Sequence, residues 1–236
     1  MRDPAVQQRL LTDEPDADNP FVKSILRNFG KMFVLGDPPD YEPTEDKTVA
    51  AIARARGTSP EAVVLDLMLA DEGRGMIYLP FLNYAEGSLD PVKAMLESPA
   101  SLPGLSDGGA HVGMICDGSF PTTLLTHWTR DRTRGGKLPL EFLIKRQCRD
   151  TAAWVGLQDR GLLQPGYRAD LNVIDYDGLK LHTPHIVHDL PAGGRRLMQH
   201  ADGYEATLVA GDVIQRHGKA TGARPGRLVR GAQAAA

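Results

Sequence analysis

Cysteine is scarce in this chain of 236 residues: there are two, Cys116 and Cys148. They show no CxxC spacing and are too few for a disulfide framework, so both are read as reduced thiols in a cytoplasm. Long apolar runs are missing as well. No stretch approaches the roughly 18 consecutive apolar residues of a spanning helix, and the opening MRDPAVQQRLLTDEPDADNP has no apolar core behind Arg2. The expectation is a soluble, unexported protein. Neither sign of charge is in large excess: 27 Lys and Arg stand against 30 Asp and Glu, a formal net charge of −3. That balance predicts neither a nucleic-acid footprint nor a polybasic membrane surface. With 42% hydrophobic and 24% charged residues, 25 Gly and 17 Pro, disorder, collagen and coiled coil are excluded. The length allows one large domain or two small ones.

The first 46 residues are rich in Asp and Pro, with apolar patches such as Phe21, Val22, Ile25, Leu26 and Phe29, Met32, Phe33 that fit a turn or two of helix. GDPPDYEPTED (36–46) is too rich in prolines and acids for regular structure. From Thr48 the pattern is helical: Val49, Ile52 and Ala53 share a face and Gly57 stops the helix. TSPEAVVLDLMLADEG opens another. Thr58 with Glu61 has capping-box spacing, while Ser59 before Pro60 is the rival cap. MIYLPFL (76–82) has β character, a helix follows from Asp90 through Leu96, and Leu102 to Ser106 is a second short run. Strand, helix, strand at this spacing predicts a parallel βα unit. Helices are expected over Pro121 to about Arg130 and Leu140 to about Trp154. After Gly161 the texture turns to strands. PGYRADLNVID (165–175) reads as a turn and a strand, and EATLVAGDVIQRHG (205–218) as a hairpin about Ala210, Gly211 and Asp212.

The most informative stretch is GLSDGGAH (104–111). A carboxylate after a short strand, followed by glycines that let backbone approach a ligand, is where a (β/α) barrel keeps catalytic groups, which singles out Asp107. An Asx-turn in which Asp107 bonds its own backbone is the plainer alternative. GLSDG also matches the G-x-S-x-G nucleophile elbow. That motif needs a strand-to-helix turn, whereas Ser106 is followed by the loop sequence GGAHVGMICDG. His182, His185 and His188 recur every third residue, but Pro184 disfavours the helix that would bring them to one face, so a polar connector is expected. RDRTRGGK (130–137) reads as a solvated helix end.

Taken together, LNYAEG (82–87), GLSDGGAHVG (104–113), SFPTTLLTHWTR (119–130), RDTAAWVGLQDRGLLQPGYRADLNVID (149–175) and ATGARPGRLVRG (220–231) resemble the N-acyl-D-amino-acid deacylase branch of the amidohydrolase superfamily. The match runs in order from about residue 76. The resemblance implies an α/β fold: 1–157 as the C-terminal portion of a metal-dependent (β/α) barrel and 158–236 as the C-terminal strands of a small β domain. It implies a zinc-dependent hydrolase of amide bonds acting on an N-acyl amino acid or a related amide. Asp107 stands where the family has its last barrel-strand aspartate, which contacts the metal and shuttles a proton. The chemistry needs such a group, because the attacking water must lose a proton and the departing amine must gain one. The resemblance further implies that Asn83 and Tyr84 lie at the mouth receiving substrate; His111, close to Asp107 in sequence, is a candidate pocket residue.

The departures from the pattern are equally specific. Family members are about twice as long and carry a His-x-His pair on the first barrel strand. This chain has seven histidines, none in His-x-His, and neither cysteine lies where the family's cysteine ligand falls. A zinc site needs three or four protein ligands, and Asp107 is the one this chain offers. The expectation is a C-terminal half, as in a truncated frame or a split gene. Most zinc ligands would then lie in the missing N-terminal half, supplied by a separately encoded partner. The alternatives are a non-catalytic remnant or structural subunit without metal, and a serine hydrolase using Ser106.

Overall fold

A computed structural model describes residues 3–13, 19, 23, 25–104, 111–116 and 118–234. They fall into two compact units, Met1–Val92 and Lys93–Ala236. In the first, α1 (Pro4–Thr12) starts with Asp3, whose carboxylate accepts the amides of Ala5 and Val6. Strands β1 (Phe33–Val34) and β2 (Ile77–Tyr78) pair antiparallel, with Phe33 opposite Tyr78. Between them lie α2 (Val49–Arg56) and α3 (Pro60–Gly73). Thr48 caps α2 by accepting the Ala51 amide, and Gly57 ends it at φ 63°, a left-handed conformation that glycine adopts without a Cβ penalty. Of the two rival caps for α3, Ser59 is used: its hydroxyl accepts the Ala62 amide and Pro60 occupies the first turn. Val49, Ala53 and Val63 bury against one another, with Phe29, Met32, Ile52, Val64 and Leu67 packed around them. The end of α3 reverses sharply. Asp71 and Glu72 are left-handed (φ 48° and 59°), and Arg74 holds the turn through both oxygens of Asp71, at 2.7 and 2.9 Å.

The expected parallel βα unit is not formed among the described residues. Strand β2 pairs with β1 in antiparallel fashion, and residues 101–104 belong to no strand. Pro80 and Pro103 each remove a ladder donor, which keeps β2 at two residues and takes Pro103 out of a ladder. Helix α4 (Asp90–Glu97) follows.

In the second unit, α5 (Phe120–Thr126) continues into a wide π-helical turn, His127–Asp131. Helix α6 (Leu140–Lys145) likewise passes through a π turn, Arg146–Asp150, into α7 (Thr151–Trp154). Both predicted helices are thus present, each with a widened segment. Threonine hydroxyls sit at both places: Thr129 donates to the Leu125 carbonyl and Thr151 to that of Gln147. Such back-bonding competes with the backbone ladder and loosens it.

The helices end at Trp154, and the next strand begins at Leu171. Strands β3 (Leu171–Ile174), β8 (Tyr204–Val209), β9 (Asp212–Arg216) and β10 (Lys219–Ala220) form an antiparallel sheet in the order β10-β9-β8-β3. Two further pairs join β4 (Lys180–Leu181) to β7 (Ala201–Asp202), and β5 (His185–Leu190) to β6 (Gly194–Met198). The expected hairpin turns between Val209 and Asp212, with Ala210 at φ 53° and Gly211 at φ 90°, the two positive values a two-residue hairpin loop requires. The architecture is mixed α/β, and the sheets of the described residues are open rather than closed into a barrel. No helix among the described residues is long and apolar enough to cross a membrane.

Candidate functional site

Asp107 and Ser106, the two candidates for chemistry in GLSDGGAH, lie outside the described residues. His111 is the first described residue after them. It is exposed, with φ 51°, and its carbonyl accepts the amides of Met114 and Ile115 at 2.8 and 3.0 Å. Histidine tolerates this left-handed region better than most residues. Just beyond, the Val112 carbonyl accepts the Leu197 amide of β6 at 2.7 Å. Ser119 donates its hydroxyl to Oε1 of Gln199, whose Nε2 donates to the His182 carbonyl at 2.7 Å. Along α5 and its π turn the stitching continues: Thr122 pairs with the Tyr204 hydroxyl at 2.8 Å and Thr129 with that of Tyr176 at 2.6 Å. Arg130 then donates to the carbonyls of Tyr176 and Leu179.

Asn83 and Tyr84 are neighbours in the first unit, whereas His111 belongs to the second. Asn83 is exposed at φ 63°. Tyr84 is buried, with its hydroxyl donating to the Pro43 carbonyl at 2.6 Å and its ring meeting Phe33 edge-on at 6.2 Å. The phenol therefore fastens the 81–87 loop to the chain at residue 43. Nearby, the buried Glu42 accepts the Leu89 amide through its carboxylate at 2.9 Å.

The basic run 130–137 departs from the expected solvated helix end. Arg132 is 1% exposed, its guanidinium lies 4.8 Å above the Trp128 ring, and it donates to the Gly136 carbonyl at 3.0 Å. Sequence reasoning missed Arg130, Arg132 and Gln199. The one available signal was the position of the arginines directly after a helix rich in Thr and Leu, which puts them on a buried face as readily as on an exposed one.

His182, His185 and His188 do not converge. His182 pairs with the Asp202 carboxylate at 2.7 Å, His185 stacks on His200 with centroids 5.0 Å apart, and His188 lies 3.4 Å from the Gly193 carbonyl. They serve the strand connections, as the connector reading expects. Among the described residues no group of three or more His, Cys, Asp or Glu is placed to hold a metal ion, so these residues do not fit the zinc that the resemblance implies.

A cleft of about 410 Å³ opens beside Cys148, Thr151, Val155, Leu157, Arg160 and Asp170. Its charges are committed to one another. Arg160 pairs with Asp159 at 2.8 Å and with Asp170 at 3.2 Å, and Asp170 also holds Arg168 at 3.0 Å. Asp170 further accepts the Ala210 amide at 2.8 Å, clamping the hairpin turn. Gly161 sits at φ 82°, where a Cβ would come within 2.7 Å of the Cys148 carbonyl oxygen. The DRGLLQPGYRADL segment is therefore a structural clasp. Cys148 is exposed to solvent beside this cleft, and partial desolvation by the surrounding protein raises its thiol pKa above the usual value.

The chain belongs to the amidohydrolase family, whose model matches residues 1–215. Among solved structures it is similar to a D-aminoacylase whose crystal structure defines a novel subset of amidohydrolases, with 24% identity, a TM-score of 0.42, and coverage of 82% of this chain and 36% of that one. A D-aminoacylase mutant in complex with CuCl2 is similar to the same extent, with 24% identity, a TM-score of 0.41 and the same coverage. A third is a D-aminoacylase described for the role of its binuclear metal centre, also 24% identical over 82% of this chain and 36% of that chain, with a TM-score of 0.41. No curated protein matches. This chain thus spans about a third of the length of these solved structures, 36%.

Proposed function

We propose that this chain is a C-terminal portion of a hydrolase that cleaves the C–N bond of N-acyl-D-amino acids or related amides. The observation that supports this reading is the family match over residues 1–215, together with the GLSDGGAH stretch inside it. In this reading residues 1–157 belong to the catalytic barrel and 158–236 to its companion β domain. Asp107 takes a proton from the attacking water and returns it to the departing amine; a single carboxylate serves both steps because each product of the first is a reactant of the second. Asn83, with an exposed side chain, and Tyr84, by fastening the loop that carries it, are proposed for the substrate mouth, and His111 for the pocket. Metal ligation in this reading falls to Asp107 and, for most ligands, to a separately encoded N-terminal half.

The test is amine release from N-acetyl-D- and N-acetyl-L-amino acids, measured on this chain alone and after mixing with a barrel half carrying a His-x-His pair. Activity that appears on mixing and disappears with Asp107→Asn supports the reading. Retention of more than about a tenth of the rate by Asp107→Asn would remove Asp107 from proton transfer, since general acid–base catalysis supplies about 10² to 10⁴. Ser106→Ala should be nearly silent, and labelling of Ser106 by a fluorophosphonate would favour the serine-hydrolase alternative. No activity under any pairing leaves a structural subunit as the better description.

A further inference from the structure

We infer that strand β6 and the amide side chain of Gln199 form the frame that positions residues 111–119, the segment directly following the SDGGA stretch. The inference rests on the proposed function, in which that stretch carries the acid–base group, and it makes Gln199 a positioning residue.

Three contacts carry it. Strand β6 pairs with β5 along one edge, while the Leu197 amide, on the other edge, donates to the Val112 carbonyl at 2.7 Å. Gln199 lies just past the end of β6. Its Oε1 accepts from the Ser119 hydroxyl while its Nε2 donates to the His182 carbonyl, so one side chain ties the residue before α5 to the residue after β4. A carboxamide supplies an acceptor and a donor together; a carboxylate, a hydrocarbon or an ammonium does not. One turn further on, the Thr122–Tyr204 hydroxyl pair at 2.8 Å holds the start of α5 to β8.

Apolar burial contributes little to fixing the segment. None of its described residues is buried, and Met114 is 76% exposed. Chain with so little apolar burial keeps its place through hydrogen bonds, and removing one of them opens it locally without unfolding the rest. Glutamine suits this position because its carboxamide serves both ends of the tie.

Hydrogen exchange followed by mass spectrometry on the full chain tests this. Gln199→Leu should raise exchange of the 111–123 amides, which include those of Met114, Ile115, Thr122 and Thr123, by about tenfold. Exchange over 49–73 should stay unchanged. Gln199→Glu keeps the acceptor for Ser119 and loses the donor to His182, so it should restore most protection in 111–123 while leaving the amides around 182–185 loosened. A merely structural glutamine predicts something else: equal loosening by both variants, spread over β5, β6 and β7. Should Gln199→Leu fail to fold, Ser119→Ala cuts the same tie and must raise exchange in 111–123 by itself.

Unchanged exchange in Ser119→Ala, or a Gln199→Glu no better than Gln199→Leu, overturns the frame. These outcomes are read without any activity. A Gln199-dependent loop in a chain that hydrolyses no N-acyl amino acid under any pairing would count against the proposed function alone.

Discussion

Between Met1 and Val92 the packing centre is aliphatic: Val49, Ala53 and Val63 bury against one another under Phe29, Met32 and Leu67. Between Lys93 and Ala236 the bulkiest fully buried side chain is a guanidinium, Arg132, beside leucines such as Leu124, Leu143 and Leu179. Other arginines do similar work there. Arg146 lies 7% exposed and donates to the carbonyls of Ser98 and Ser101, and Arg130 reaches those of Tyr176 and Leu179. The first unit depends on area removed from water, which is non-directional and tolerates repacking. The second relies much more on directed donors, whose removal leaves partly buried carbonyls without their partner. Motif positions in the two units therefore have different meanings. An apolar position can change size, whereas an arginine that reads as surface charge is a specific tie.

The comparison breaks most visibly at Arg132. Arg132→Ala should lower the stability of the second unit by about 3 kcal/mol, through the lost charged hydrogen bond and the emptied space over Trp128. Both tryptophans of the chain, Trp128 and Trp154, lie in that unit, so their fluorescence in urea reports on it. Arg132→Lys should recover less than half, because an ammonium has no plane to lay on the indole. A loss below about 0.5 kcal/mol for the alanine variant would return Arg132 to the class of ordinary surface charges.

Val63→Ala is the matching cut in the first unit, with an expected cost of about 2 kcal/mol from two lost methyl groups and the space they leave. Hydrogen exchange over 49–73 should record it, and the cost should be equal at low and high salt. Strong salt dependence would mean that charge shares in holding this cluster.

Asp170→Asn is expected to cost about 1 kcal/mol. The amide oxygen can still accept from Ala210, while the pairing with Arg160 and Arg168 loses its charge. Asp170→Ala should cost more, and the difference isolates the clamp on the hairpin turn.

The smallest effect is a pH dependence. Hydrogen bonds from Arg160 and Arg196 hold Asp159 and Asp189 below the ordinary carboxylate range, both in the second unit, and Arg74 does the same for Asp71 in the first. A lowered folded pKa means stability that is complete above the ordinary range and lost as the pH falls through the lowered value. Acid should therefore weaken the second unit, with two such sites, more than the first, with one. Urea midpoints measured at neutral and acid pH by tryptophan fluorescence and by exchange over 49–73 would separate them.

Much of the local structure was legible in the sequence because local chemistry decides it. Thr48 and Gly57 bracket α2, Ser59 with Pro60 starts α3, and the hairpin at Ala210 and Gly211 follows from strand runs separated by two residues. The parallel βα unit was misread because an apolar run gives no pairing partner. Ile77 and Tyr78 found theirs in Phe33 and Val34, more than forty residues upstream. The family was legible from ordered motifs, yet DRGLLQPGYRADL proved to be a clasp of ion pairs and tight glycines. The burial of Arg132 and the two-ended tie of Gln199 depend on tertiary neighbours that no spacing rule reports.

The widened turn at His127–Asp131 bears on how this segment can be edited. An α-helix turns by about 100° per residue, so consecutive side chains point well apart. A π turn advances less per residue, and this brings Thr129 and Arg130, adjacent in sequence, onto the same residue, Tyr176: one meets its hydroxyl and the other its carbonyl. Such a turn amounts to one residue more than an α-helix of the same span. Removing one residue there would close the helix back to α-helical spacing, and every side chain beyond it, Arg132 included, would be rotated to a new address.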